Sequence, residues 1–139
     1  MTQIVKTGYC VKATMLLTLL FCLFGGTVMA QEPKVTELVT KDLKDIPGKE
    51  VLMIAVEYPP GGADPIHRHN AEAFVYVLEG SIVMQVKGGK VVTLTPGQTF
   101  YEGPDDIHII GRNASKTKPA KFVVFLIKAK GAPVLVPEK

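Results

Sequence analysis

The stretch GGADPIHRHNAEAFVYVLEG, residues 61–80, decides the fold, because a turn, two histidines and an apolar strand follow one another in it. His67 and His69 stand two residues apart, which places both imidazoles on the same face of a β-strand. The chain has 3 histidines, and the third, His108, opens another apolar run. Histidine is the commonest metal ligand among side chains. The complete set of histidines therefore predicts one shared metal site.

Outward from this stretch, the sequence consists of short β-branched runs separated by turn residues. Glu79-Gly80 is typical of a hairpin turn between two such runs. No stretch after residue 30 has a long 3.6-residue period, so the pattern predicts an all-β sandwich or barrel. We expect a two-sheet jelly roll. The expected strands are 35–40, 50–58, 73–78, 81–86, 91–94, 99–101, 107–111 and 121–128.

The strand at 73–78 is apolar on both faces. Val75 and Val77 lie on one face, while Phe74, Tyr76 and Leu78 lie on the other. A strand with two apolar faces has to be covered twice. Either a second subunit, giving a homodimer, or a second layer of the same chain would provide the outer cover.

Residues 1–30 have the three-part layout of a secretory signal peptide. Lys6 and Lys12 form a positive region, residues 13–23 are apolar, and Val28-Met29-Ala30 is a small-residue ending. The apolar run is shorter than the ~20 residues that a spanning helix needs, which favours cleavage over a membrane anchor. We expect cleavage after Ala30, one domain over 31–139 with no membrane partner, and a periplasmic or secreted protein.

Composition excludes several classes of function. Both cysteines, Cys10 and Cys22, lie in the expected signal peptide, so residues 31–139 contain no cysteine nucleophile, thiolate ligand or disulfide. The net charge is +3, and two of the basic residues belong to that segment. The remaining chain is close to neutral and shows no basic excess for nucleic acid.

Two segments resemble the motifs of the cupin family. Gly61, His67, His69 and Gly80 keep the spacing of the first cupin motif, and residues 97–108 are similar to the second. The resemblance implies a double-stranded β-helix, or jelly-roll barrel, that holds a divalent metal. It also implies His67, His69 and His108 as the metal ligands.

The chain departs from the cupin pattern at several positions. The family usually carries a glutamate ligand where this chain has Ala73. Glu72 is adjacent, but strand alternation points it to the opposite face unless a local bulge swings it inward. We therefore expect a three-histidine site in preference to one with a fourth glutamate ligand. Gly103 and Asp105 depart from the second motif just before His108.

Three neutral imidazoles add no negative charge, so a bound dication would keep its charge of +2. Such a centre attracts anions and acidifies bound water. Imidazole suits Zn, Fe, Cu or Ni, and the sequence leaves the identity of the metal open. We expect a small oxygen-rich anionic molecule as the ligand or substrate.

Five further residues are candidates for the site. Gln85 is a possible weak fourth ligand, Glu72 and Glu102 are candidate catalytic acids or bases, and Tyr76 and Tyr101 are candidates for holding a substrate. Each also has an ordinary interpretation as a surface or packing residue.

Two classes of function remain open from the sequence. The first is a metal-dependent enzyme, a dioxygenase, decarboxylase or isomerase. The second is a non-catalytic module that binds or senses a small molecule, with or without a metal. The cupin barrel serves both roles.

Overall fold

A computed structural model describes residues 32–139, so the expected signal peptide at 1–30 lies outside the described residues. Between residues 32 and 139 no helix is long and apolar enough to cross a membrane. The ten strands of this region are β1 Lys34–Asp42, β2 Lys49–Tyr58, β3 His67–Arg68, β4 Ala71–Glu79, β5 Ile82–Val86, β6 Val92–Leu94, β7 Thr99–Glu102, β8 His108–Asn113, β9 Ala120–Ala129 and β10 Val136–Pro137.

The strands form two 5-stranded sheets with antiparallel pairing. The first sheet has the order β1-β2-β9-β4-β7 and the second has the order β10-β3-β8-β5-β6. Strands β2 and β9 pair over their full lengths, from Lys49 with Ala129 to Tyr58 with Ala120. The expected all-β jelly roll is thus confirmed.

The connection after β4 corrects one prediction. Glu79-Gly80 does not make a hairpin, because β4 belongs to the first sheet and β5 to the second. Gly80 has a φ of 71°, and a Cβ there would lie 2.6 Å from the carbonyl oxygen of Pro119. A glycine with positive φ suits a hairpin and a crossing turn equally well, so the sequence pattern does not distinguish them.

The core lies between the two sheets, and β4 supplies one wall of it. Ala73, Val75 and Val77 of this strand are buried, as alternation predicts. Tyr58 and Phe122 meet edge to face in the same core, with ring centroids 5.0 Å apart. The wall formed by β4 and its neighbours β7 and β9 lines the cavity described below, through Val75, Glu102 and Phe122.

The outer face of the first sheet is apolar and uncovered by residues 32–139. Phe74, Tyr76 and Leu78 are 46%, 43% and 40% exposed. Tyr101 and Phe125 flank Phe74 as its register partners on β7 and β9. The structure therefore does not provide the second layer from the same chain that the two apolar faces of β4 allow for. We call Phe74, Tyr76, Tyr101 and Phe125 the outer apolar face.

Candidate metal centre

The second sheet brings the three histidines together. His67 on β3 and His108 on β8 are direct register partners, and His69 follows β3 by one residue. The ring centroids of His67 and His69 are 4.7 Å apart, and those of His67 and His108 are 5.0 Å apart. Two of the three, His67 and His108, are only 2% exposed. The cluster expected from the sequence is present.

Backbone carbonyls fix the orientation of all three rings. Nδ1 of His67 lies 2.7 Å from the carbonyl oxygen of Pro65, and Nδ1 of His69 lies 2.6 Å from that of Val134. Nε2 of His108 lies 2.6 Å from the carbonyl oxygen of Ile110. A carbonyl oxygen only accepts, so each of these nitrogens is the donor. The lone pairs of the neutral rings are then on Nε2, Nε2 and Nδ1, in the support arrangement typical of metal-ligating histidines.

These lone pairs converge on one place. Nε2 of His67 and Nε2 of His69 are 3.2 Å apart, and one nitrogen from each of the three rings lies within 4.8 Å of the others. Two nitrogens that each lie about 2.0–2.1 Å from one ion are separated by roughly 3–3.5 Å. The His67–His69 separation matches this value, and the third donor lies close enough to make the cluster a candidate site for a divalent transition-metal ion.

Burial favours the neutral form of two of the imidazoles, those of His69 and His108. Burial, with a smaller contribution from the neighbouring His67, lowers the pKa of His108 to about 4. Burial also lowers the pKa of His69. Because a metal takes the neutral ring, these shifts leave the ligand atoms available near neutral pH.

Glu102 reaches the cluster from the opposite sheet. It ends β7 and is 2% exposed. Its Oε1 lies 3.4 Å from Nδ1 of His108, and its Oε2 lies 3.8 Å from Nε2 of His69. Burial, with smaller contributions from Asp106 and Asp64, raises the pKa of Glu102 to about 7. The structure thus brings one of the two candidate acids or bases to the histidines.

The other candidates lie away from the cluster. Glu72 accepts a hydrogen bond from the hydroxyl of Tyr101 on the outside of the sheet, which raises the pKa of Tyr101. Tyr76 projects on the same outer side. Nε2 of Gln85 donates to the carbonyl oxygen of Gly89 at 2.9 Å in an exposed turn. The alternation of β4 is not interrupted at Glu72, so no bulge swings this side chain inward.

A cavity of about 240 Å³ adjoins the histidines and Glu102. Its walls are mostly apolar, and Ile54, Met84 and Phe122 contribute to them. Asp64 also lines the cavity, and its carboxylate accepts a hydrogen bond from the hydroxyl of Tyr58. Burial raises the pKa of both groups.

Asp64 lines the cavity, but the sequence does not mark it as a site residue. Its neighbours Gly62 and Pro65 are turn formers, and aspartate is common in turns for backbone reasons alone. What distinguishes it is its hydrogen bond with buried Tyr58, six residues earlier in the chain, and the sequence contains no signal for that pairing.

Gly111 makes room for His108. A Cβ on Gly111 would lie 2.8 Å from Cε1 and 3.1 Å from Nε2 of His108, and 3.1 Å from Oδ2 of Asp64. The ring of His108 therefore occupies the space that a side chain at position 111 would fill.

The fold and the cluster together define a jelly-roll barrel whose interior holds three histidines able to ligate a metal. A sequence profile of the family described as "Cupin domain" matches residues 54–126, more than half of the chain, and the protein therefore belongs to the cupin family. A search of curated proteins finds no match.

Solved structures share the fold. An uncharacterised conserved protein with a double-stranded β-helix domain from Klebsiella pneumoniae is 18% identical, with a TM-score of 0.61 over 77% of this chain and 86% of that one. An oxalate oxidase in complex with the substrate analogue glycolate is 28% identical, with a TM-score of 0.57 over 81% of this chain and 58% of that one.

The DMSP lyase DddQ from Ruegeria pomeroyi is 21% identical, with a TM-score of 0.54 over 63% of this chain. The matched part spans 42% of the length of that lyase. The likeness to the lyase concerns the fold.

Proposed function

We propose that this cupin binds a divalent transition metal through His67, His69 and His108 and uses the metal to bind a small oxygen-rich anion. One observation carries the proposal: the lone pairs of three imidazoles, two of them buried, converge while each second ring nitrogen donates to a backbone carbonyl. Zn, Fe, Cu and Ni all suit such a donor set.

The anion class is supported by charge and by one relative. A dication held by three neutral rings keeps its positive charge beside an apolar cavity, where the attraction for a carboxylate is strong. The similar oxalate oxidase binds glycolate, a small oxygen-rich anion. We extend this class of ligand to the present cavity of about 240 Å³.

Metal binding is tested on the full chain, stripped with a chelator and reloaded. We expect one tightly bound Zn²⁺ per chain in wild type and in Arg68→Ala, but not in His67→Ala. Arg68 is the matched control because it lies between the two histidines and its Nε meets Oε1 of Glu138 at 2.8 Å instead. Failure of the wild-type chain to retain any of the four metals would overturn the proposal.

Anion binding is tested by calorimetry with glycolate and oxalate. We expect heat of binding with the metal-loaded protein and none with the stripped protein, because the positive charge comes from the ion. Methyl glycolate, which lacks the carboxylate charge, serves as the matched ligand control. Equal binding to the loaded and stripped forms would exclude a metal-bound anion.

Both an enzyme and a non-catalytic binding protein fit this proposal, and the need for a free acid or base separates them. An enzyme, whether dioxygenase, decarboxylase or isomerase, needs a free acid or base beside the metal. Among the described residues, Asp64 and Glu102 are the carboxyl groups that line the cavity, and Asp64 is already bonded to Tyr58. A carrier or sensor without turnover needs neither group, and the mostly apolar walls favour it as the second candidate.

A second part of the proposal concerns export. We infer that residues 1–30 direct export to the periplasm or exterior, on the strength of the sequence layout alone. Protein recovered from the periplasm or medium with Gln31 as its first residue would support this, and an intact Met1 start would contradict it.

We also propose that a second copy covers the outer apolar face, since apolar side chains on both faces of β4 require two covers. Light scattering is expected to report a dimer for wild type and a monomer for Phe74→Asp. A monomeric wild type would exclude it.

A further inference from the structure

The position of the missing cupin glutamate lies directly opposite another glutamate. Ala73 on β4 and Glu102 on β7 are register partners in the first sheet. Ala73 is 0% exposed and Glu102 is 2% exposed, and both face the interior. Directly paired residues of antiparallel strands have Cβ atoms about 4.5–5.5 Å apart. A carboxylate carried by Glu102 therefore enters the same part of the cavity as one carried by residue 73 would.

We propose that Glu102 is the fourth ligand of the metal, so that the carboxylate has moved across the β4–β7 pair instead of being lost. This inference rests on the proposed function, in which the three histidines bind a divalent ion. It assigns Glu102 to the metal rather than to acid–base chemistry.

The contacts of Glu102 call for a cation. Its oxygens lie 3.4 Å from Nδ1 of His108 and 3.8 Å from Nε2 of His69. The ring protons of both histidines are engaged with the carbonyl oxygens of Ile110 and Val134, so neither ring has a proton left to donate to Glu102. Oε2 of Glu102 has no hydrogen-bond partner among residues 32–139. A buried polar atom without a partner is unfavourable, and one shared cation satisfies all four groups.

A carboxylate changes which ion the site prefers. Oxygen ligands suit harder ions such as Mn²⁺, whereas imidazole alone favours Zn²⁺ and Cu²⁺. The carboxylate also reduces the net charge of the loaded site from +2 to +1. We therefore expect loss of the Glu102 carboxylate to reduce the affinity for Mn²⁺ more than the affinity for Zn²⁺.

The test compares Glu102→Gln with Glu72→Gln in the stripped full chain. Glu72 is the matched control, since it is adjacent to Ala73 but bonds to Tyr101 on the outside. Chelator competition is expected to show Mn²⁺ affinity reduced by about 100-fold or more in E102Q and Zn²⁺ affinity reduced by about tenfold at most. E72Q is expected to match wild type for both ions.

A rescue variant tests the transposition itself. Ala73→Glu combined with Glu102→Ala returns the carboxylate to β4, and we expect Mn²⁺ affinity to recover to within about tenfold of wild type. The visible absorption of bound Co²⁺, which reports ligand exchange directly, should change in E102Q and return in the double variant. Urea unfolding of the stripped proteins shows which variants fold. Glutamine is nearly equal in size to glutamate, so E102Q alone decides whether residue 102 is a ligand even if the double variant does not fold.

The outcomes separate the two proposals. Wild-type Mn²⁺ affinity and an unchanged Co²⁺ spectrum in a folded E102Q would overturn the assignment of Glu102, while the histidine site would stand. This is also the result expected if a protonated Glu102 merely donates a hydrogen bond to His108, because the glutamine amide donates equally well. Absence of metal from the wild-type chain would instead overturn the proposed function.

Discussion

Replacing Gly111 by alanine is the most direct test of the geometry around His108. The new Cβ would lie 2.8 Å from Cε1 of the ring and 3.1 Å from Oδ2 of Asp64. Carbon atoms in good contact are about 3.5–4.0 Å apart, so the ring has to retreat by roughly 0.7 Å or more. Metal sites tolerate shifts of only about 0.2 Å in ligand distance. The displacement of the ring therefore exceeds what the site can absorb.

Two magnitudes follow for Gly111→Ala. Overpacking of this kind costs about 1–3 kcal/mol, which should appear as a lower free energy of unfolding in the metal-free protein. The shifted ring also weakens its hydrogen bond to the carbonyl oxygen of Ile110, now 2.6 Å long. Loss of such support typically lowers metal affinity by about 10–100-fold.

The assay combines urea unfolding of stripped protein with chelator competition for Zn²⁺. Gly103→Ala is the matched control, because its nearest neighbours, Oδ2 of Asp106 and the hydroxyl of Tyr101, would be 3.4 Å from the new Cβ. This control should leave both quantities near wild type. If G111A unfolds and binds Zn²⁺ as wild type does, His108 does not hold the ring position described above, and the reasoning fails.

Three further predictions concern stability. The pKa of Glu102 is raised from 4.5 to about 7, so the metal-free native state binds a proton more tightly than the unfolded state and loses stability as the pH rises through this range. Glutamine at this position does not titrate, so the stability of E102Q relative to wild type should grow by up to about 3 kcal/mol between pH 4.5 and 7. A constant difference between the two proteins in urea titrations would contradict this prediction. Tyr58→Phe removes the donor to Asp64 and should reduce the free energy of unfolding by about 1–3 kcal/mol, whereas an unchanged midpoint would mean that water replaces the hydroxyl. Phe122→Ala empties a core position that is 3% exposed and should cost about 3–5 kcal/mol by the same measurement; a cost below about 1 kcal/mol would indicate that the walls collapse onto the site.

The sequence predicts the strands well because each long strand has its own pattern. Residues 50–58 and 121–128 are apolar runs between turn formers, and they correspond closely to β2 and β9. The two-residue strands His67–Arg68 and Val136–Pro137 are too short to leave a period in the sequence. Pairing partners are also invisible, and for this reason the turn at Gly80 is wrongly predicted as a hairpin.

The sequence predicts those site residues whose side-chain type is itself unusual. The histidines stand out because the chain has 3 and imidazole has a specialised chemistry. The spacing of His67 and His69 indicates a shared face, but nothing in the sequence aligns Glu102 with Ala73. That alignment depends on the register of two strands far apart in the chain. Gln85 is an ordinary candidate by composition, and only the structure shows its bond to Gly89.

The pairing of Ala73 with Glu102 bears on how barrels of this kind diverge. Paired residues on neighbouring strands can be far apart in sequence and still direct their side chains to one point. Two substitutions can therefore move a functional group from one strand to the next while the fold is preserved. An ancestor with acidic residues on both strands, or with neither, would link the two arrangements. In such a wall, what is kept is the position of the carboxylate in space, and the residue number that supplies it can change.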